Sequence, residues 1–167
     1  MAPKAPSPKS MSNDKAKSLN EWHSLYQAYN AVFKVQELAL IPQGISLPQL
    51  HLLGLLAYEQ RPLAISELAA WMVKEPNSLT GLVDRTEAKG WVTTHGDPKD
   101  RRKRLVEFTP AGVKKFEAAF EVAKQASDRL FKTLGAREQE QLKGYCLKLR
   151  DKAISELSRK LTFRQLI

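Results

Sequence analysis

One cysteine, Cys146, stands in 167 residues. No disulfide can close within a single chain, and a reducing compartment, the cytoplasm, is the simple expectation. Long apolar runs are also missing: none approaches the roughly 18–20 residues that cross a bilayer, so no membrane partner is expected. The first residues carry no apolar stretch ahead of a cleavage-like site, as expected of a chain without a secretory signal. The three histidines, His23, His51 and His95, lie far apart, and no Cys, His or Asp pair has metal-ligand spacing. Neither a glycine-rich phosphate loop nor a G-x-S-x-G elbow occurs, and no acid–base cluster is evident. An enzyme is not supported, and no metal or cofactor is expected. Acidic residues are in the minority, 18 against 27 Lys and Arg, which leaves a formal charge of +9. That balance favours nucleic acid or an acidic surface as partner, although an ordinary basic protein would show it too.

What is present is concentrated in one stretch, His95 to Gly112, HGDPKDRRKRLVEFTPAG. Lys99, Arg101, Arg102, Lys103 and Arg104 surround only two acids, Asp97 and Asp100. Gly96-Asp97-Pro98 signals a turn before them. Trp91 to Thr94 and Arg104 to Phe108 read as antiparallel strands on either side. The result is a hairpin with a charged tip.

Helical patterns flank it. Trp22, Leu25, Tyr26, Tyr29, Val32 and Phe33 form one stripe on a helix from Leu19 to about Leu40, which Pro42 and Gly44 end. Ser46-Leu47-Pro48 opens a second helix with a serine cap and proline just inside. Its leucines, at 50, 52, 53, 55 and 56, fall on nearly every side, as in a central, buried helix. Ile65, Leu68, Ala69 and Met72 mark a short helix, Val73-Lys74-Glu75 a tight connection, and Pro76 the start of the next helix, which runs to Lys89 and stops at Gly90. Beyond Thr109-Pro110 come a helix to about Phe131 and a last one from about Ala136 to Ser158, with Leu142, Tyr145, Cys146, Leu149, Ala153 and Leu157 on one face. The fold class is mostly α with a small β component (α+β): a winged helix-turn-helix with a two-stranded wing.

The organisation expected is a disordered basic tail over 1–18, an N-terminal dimerisation helix over 19–42, the winged domain over 46–112 and dimerisation helices over 113–160. The aromatic stripe at 22–33 and the stripe at 142–149 lie outside the winged domain. A two-fold dimer would bury both and would match a palindromic site.

In the helix after the turn, Leu79, Leu82 and Val83 face inward. Asn77, Ser78, Thr80, Gly81 and Arg85 are left for solvent. Asn, Ser, Thr and Arg are the residue types that bond base edges and phosphates in a major groove, and a helix N-terminus attracts phosphate. A plain polar face would look similar. The hairpin tip tilts the balance, because an arginine there can enter a narrow minor groove. Arg102 is the candidate. Asp100 is expected to hold it by a bidentate pair, with Arg101, Lys103 and Arg104 on phosphates and Lys99 a further DNA-binding candidate.

LAISELAAWM, EPNSLTGLVDRTEAKGWV and GDPKDRRKRLVEFTPAG, in this order and spacing, resemble the MarR family of transcription regulators from about Leu47 to Gly112. The family's Asp-x-Arg wing motif falls on Asp100 and Arg102. The resemblance implies an intertwined homodimer, each subunit placing one helix in the major groove of a pseudo-palindromic operator on double-stranded DNA. It implies a repressor released by a small aromatic or phenolic effector. Tyr26, Tyr29, His51 and Trp71 are candidates for the effector cleft, although aromatics at helical spacing more often pack in a core. Three positions depart from the family pattern. Gly81 removes a long base-reading side chain, Thr86 puts a hydroxyl where leucine is usual, and Ala64 leaves the short helix to a later cap at Ser66. Cys146, on an apolar face, reads as inert filler. The alternative function is a winged-helix architectural or protein-interaction module without sequence-specific readout.

Overall fold

The computed structural model describes residues 13–164 apart from Arg101, with side chains described over 20–157. The chain divides into two compact units, residues 1–126 and 127–167.

In the first unit, helix α1 (Asn13–Leu40) is followed by a 3-10 turn (Ile41–Gln43), α2 (Leu47–Glu59), strand β1 (Leu63–Ala64), α3 (Ile65–Met72), α4 (Pro76–Glu87), β2 (Val92–Gly96), β3 (Arg104–Phe108) and the larger part of α5 (Pro110–Phe131), whose last five residues fall in the second unit. Residues 13–18 are helical, so α1 starts six residues ahead of the expected boundary. The rest of the expected tail, residues 1–12, lies outside the described residues.

The core is built on α2, as its leucine content predicts. Leu47, Leu50, Leu52, Leu53 and Leu56 are buried and join Leu40, Leu63, Leu68, Leu79, Val83, Val92 and Val106. Ser46 and Gln49 make a reciprocal capping box: the Gln49 amide N–H donates to Ser46 Oγ at 3.3 Å and the Ser46 N–H to Gln49 Oε1 at 3.2 Å.

The sheet has three strands in the order β1-β3-β2, all antiparallel. The sequence pattern missed β1 because it is two residues long and both are buried, which leaves no alternation to read. Leu63 pairs with Val106 and Ala64 with Leu105, so β1 anchors the hairpin to α3. At the start of α3, the Ala64 N–H donates to Glu67 Oε2 at 2.8 Å, and this bond replaces the cap expected of Ser66.

Two close fits hold the hairpin base. Gly112 lies so near the backbone of Trp91 that an added Cβ would sit 1.8 Å from its carbonyl oxygen. The Trp91 ring has the Lys89 ammonium 4.6 Å and the Lys115 ammonium 5.5 Å from its centroid. Those same ammonium groups donate to the carbonyls of Gly44 and Gln43, so the turn before α2 is tied to the end of α4 and the start of α5.

In the second unit, α6 (Ala136–Arg164) follows a turn in which Gln139 Nε2 donates to the carbonyls of Phe131 and Leu134. The Gly135 N–H donates to the Glu138 carboxylate at 2.7 Å. Leu142, Tyr145 and Leu149 are exposed on α6. Cys146 is exposed as well, which corrects the expectation of apolar filler. Among the described residues no single helix is long and apolar enough to cross a membrane.

Candidate nucleic-acid interface

Helix α4 has a buried face and an open one. Leu79, Leu82, Val83 and Thr86 are buried, whereas Asn77, Ser78 and Arg85 are exposed and Thr80 and Gly81 half-buried. The Thr80 hydroxyl is turned back on its own helix, donating to the Pro76 carbonyl at 3.1 Å. At Gly81 an added Cβ would meet only Arg85 Nη1, at 3.3 Å, so the Arg85 guanidinium lies along the gap the glycine leaves. The Thr86 hydroxyl is satisfied inside the core: it donates to the Leu82 carbonyl at 2.7 Å and accepts from Gln49 Nε2 at 3.3 Å. A leucine at that position would leave the buried Gln49 amide short of a partner.

The wing tip is shaped by its two acids. Asp97 Oδ1 accepts the Lys99 N–H at 2.8 Å, and Asp100 Oδ1 accepts the Arg102 N–H at 3.1 Å. These local side-chain-to-backbone bonds are what Asp supplies in turns. The Lys103 N–H closes on the Asp100 carbonyl and the Asp97 N–H on the Lys103 carbonyl. Asp100 and Arg102 do meet, but through a single oxygen: Arg102 Nε donates to Asp100 Oδ1 at 3.3 Å. The expected bidentate pair is corrected to this one-point contact, because Oδ1 is already held by the loop backbone. Arg102 Nη1 and Nη2 take no part in that contact and make no bond among the described residues, on a side chain 93% exposed. Lys99 and Lys103 are exposed beside it. Arg101 lies outside the described residues.

Arg104 stands apart from the other wing cations. Its Nη1 donates to Asp84 Oδ1 at 2.6 Å and its Nη2 to Glu87 Oε2 at 2.8 Å, both on α4. The bond to Asp84 is the main cause of a raised Arg104 pKa, partial burial opposing it. Asp84 and Glu87 were absent from the residues singled out by sequence. Two acids three apart on a helix that otherwise offers Asn, Ser and Arg were the signal available. Lys103 lies in the field of Glu67 on α3, whose pKa is lowered first by the hydrogen bond from Arg61, then by the Ala64 N–H.

The four effector candidates come from three helices: Tyr26 and Tyr29 from α1, His51 from α2 and Trp71 from α3. Tyr26 stacks on Trp22 with centroids 6.1 Å apart, and Tyr29 meets Phe33 at 5.7 Å, both along α1. Trp71 packs edge-on against Tyr58 at 6.4 Å. All four candidates are exposed, His51 included, which corrects the reading of them as core. His51 keeps one side in water, yet partial desolvation, followed by the charge of Lys74, lowers its pKa. Among the described residues no group of three or more His, Cys, Asp or Glu is placed to hold a metal ion.

The MarR family model matches residues 45–103, from the capped start of α2 to the wing. The HTH-type transcriptional repressor NicR of Pseudomonas putida is 32% identical over 114 residues, covering 68% of this chain and 70% of NicR. The transcriptional activatory protein BadR of Rhodopseudomonas palustris is 34% identical over 93 residues, 53% of this chain, and the match spans about half, 51%, of BadR. Among solved structures, a mutant MarR from E. coli complexed with operator DNA superposes with a TM-score of 0.73 at 23% identity, covering 84% of this chain and 99% of that one. CouR from Rhodococcus jostii RHA1 bound to p-coumaroyl-CoA gives 0.68 at 22%, covering 75% and 87%. At these identities the structural likeness speaks to the winged-helix fold, while the sequence match to NicR carries the kinship. The chain belongs to the MarR family of transcription regulators.

Proposed function

We propose that this protein is a sequence-specific DNA-binding repressor that works in the cytoplasm as a homodimer on a pseudo-palindromic operator and is released by a small aromatic ligand. The observation that carries the reading is the pairing of two open donor sets. Asn77, Ser78 and Arg85 face outward on α4, and among the described residues Arg102 at the wing tip leaves both terminal nitrogens unbonded on a side chain 93% exposed. The first set suits a major groove, and an arginine at a hairpin tip suits the electronegative minor groove beside it. Lys99, Arg101 and Lys103 would add phosphate contacts, which carry affinity without sequence.

Dimerisation is supported by the apolar surface each unit leaves open. Trp22, Tyr26 and Tyr29 are 62%, 52% and 61% exposed on α1, and Tyr145 is 64% exposed on α6. Apolar stripes of this kind mark interaction surfaces, and a two-fold partner would present two α4 helices to one duplex. Segments 19–42 and 113–160 would then be dimerisation elements around the winged domain at 46–112. Release by an aromatic ligand draws on the exposed Tyr26, Tyr29, His51 and Trp71 and on CouR, which was solved with p-coumaroyl-CoA. Repression follows NicR, a repressor.

The test is selection of duplexes from a randomised pool by the full-length protein, followed by competition with a shuffled duplex. The expected result is a two-fold-symmetric motif bound at least about a thousandfold more tightly than its shuffled version. Equal competition by the two duplexes would reject sequence-specific readout in favour of an architectural module.

A further inference from the structure

A helix that meets phosphates is a poor place for carboxylates, yet α4 carries two on its last turns. Asp84 is half-exposed and Glu87 one-third exposed. Both are occupied from the wing. Arg104, the first residue of β3, spans them with one guanidinium, Nη1 on Asp84 and Nη2 on Glu87. The second oxygen of Glu87, Oε1, accepts the Thr94 hydroxyl of β2 at 2.8 Å. Both long strands of the wing are thus bonded to the same helical turn. A planar fork with fixed donor directions can hold two carboxylates at once, where a lysine ammonium would act as a point charge. An isolated exposed ion pair adds little stability, so the consequence of this arrangement is geometric: it sets the angle between wing and helix.

We propose that Arg104 is a positioning residue for DNA recognition, locking the wing to α4 so that Arg102 and the α4 face meet the duplex as one preorganised reader, and that it makes no phosphate contact. The inference rests on the DNA-reading function above. Ordering the two elements before binding removes that cost from the binding step.

The experiment compares full-length wild type, Arg104→Ala, Arg104→Lys, Asp84→Asn/Glu87→Gln and the triple variant combining this pair with Arg104→Ala. Each is titrated with the duplex selected by wild type and with its shuffled version across a salt series, with Lys99→Ala as a reference for a phosphate contact. Arg104→Ala is expected to lose about tenfold of the selected-over-shuffled ratio, with the slope of log K against log salt unchanged. Lys99→Ala should lower that slope by about 0.9. Arg104→Lys should not rescue, the Asp84/Glu87 pair should reproduce the loss, and the triple variant should add nothing to it. If Arg104→Ala lowers the slope and weakens both duplexes equally, Arg104 is a phosphate contact and the proposal is overturned. It is also overturned if Arg104→Ala binds like wild type, or if the Asp84/Glu87 pair tightens binding. Should wild type select no duplex, the function above fails instead. Amide hydrogen exchange over residues 92–96 in the free protein then reads the lock alone, with faster exchange in Arg104→Ala expected and unchanged exchange overturning it.

Discussion

The side-chain amide of Gln49 on α2 donates to the hydroxyl of Thr86 on α4, 3.3 Å away and inside the core. Gln49 also closes the capping box with Ser46, and the Thr86 hydroxyl donates in turn to the Leu82 carbonyl. One buried polar chain therefore fixes the register between the capped start of the central helix and the helix proposed to read DNA. Thr86→Val keeps the shape and strands the Gln49 amide, so a loss of about 1–3 kcal/mol is expected in urea unfolding. Gln49→Leu/Thr86→Val should recover part of it, since both polar groups are then gone.

Two glycines should respond in opposite ways to alanine. Gly112→Ala drives a Cβ into the Trp91 backbone, which cannot step aside without moving the start of β2, and a loss of roughly 3 kcal/mol is expected. Gly81→Ala meets only the flexible end of Arg85 and removes a mid-helix glycine, for a gain of roughly 1 kcal/mol. Thermal unfolding of the two variants checks the contrast. A loss of selectivity in Gly81→Ala would reveal that the path of Arg85 over the gap matters for reading.

Val73 ends α3 with a φ of 50°, in the left-handed region that β-branched residues avoid. Its side chain is exposed, so little packing is lost by changing it. Val73→Asn should raise stability by roughly 1 kcal/mol, measured as a higher urea midpoint with an unchanged slope.

Arg102→Ala should weaken binding to the selected duplex by approximately 1–3 kcal/mol, because its guanidinium, on a side chain 93% exposed at the wing tip, is the group placed to enter a groove. Binding isotherms on the selected and shuffled duplexes decide this. Equal small losses on both would reduce the wing to phosphate attraction.

Acid should act in two windows. The His51 pKa lies below its ordinary 6.5, so the unfolded chain takes the proton first. Its contribution is complete above 6.5 and is lost as pH falls from there toward the folded value. The Glu67 pKa is also lowered, with hydrogen bonds from Arg61 and the Ala64 N–H as main causes, and its contribution is complete above the ordinary 4.5 and lost as pH falls through the folded value. Unfolding free energies measured against pH should flatten just below 6.5 in His51→Gln and below 4.5 in Glu67→Gln.

Elements that repeat a period or carry a local signal were legible in the residues alone. Ser46 and Pro48 start α2, Pro76 starts α4, Gly90 (φ 71°) ends the turn before β2, and the short helix at 65–72 falls where its apolar spacing puts it. Such signals act within a few residues of themselves. Contacts between distant segments settled the rest. They gave Thr86 a partner 37 residues away, added β1 through its pairing with Val106 and Leu105, and took Arg104 out of the row of wing cations by setting it on Asp84 and Glu87. In sequence, Arg102 and Arg104 are two arginines of one basic run. In space they differ because one points off the tip and the other, at the strand's foot, reaches a helix that the fold brings beside it.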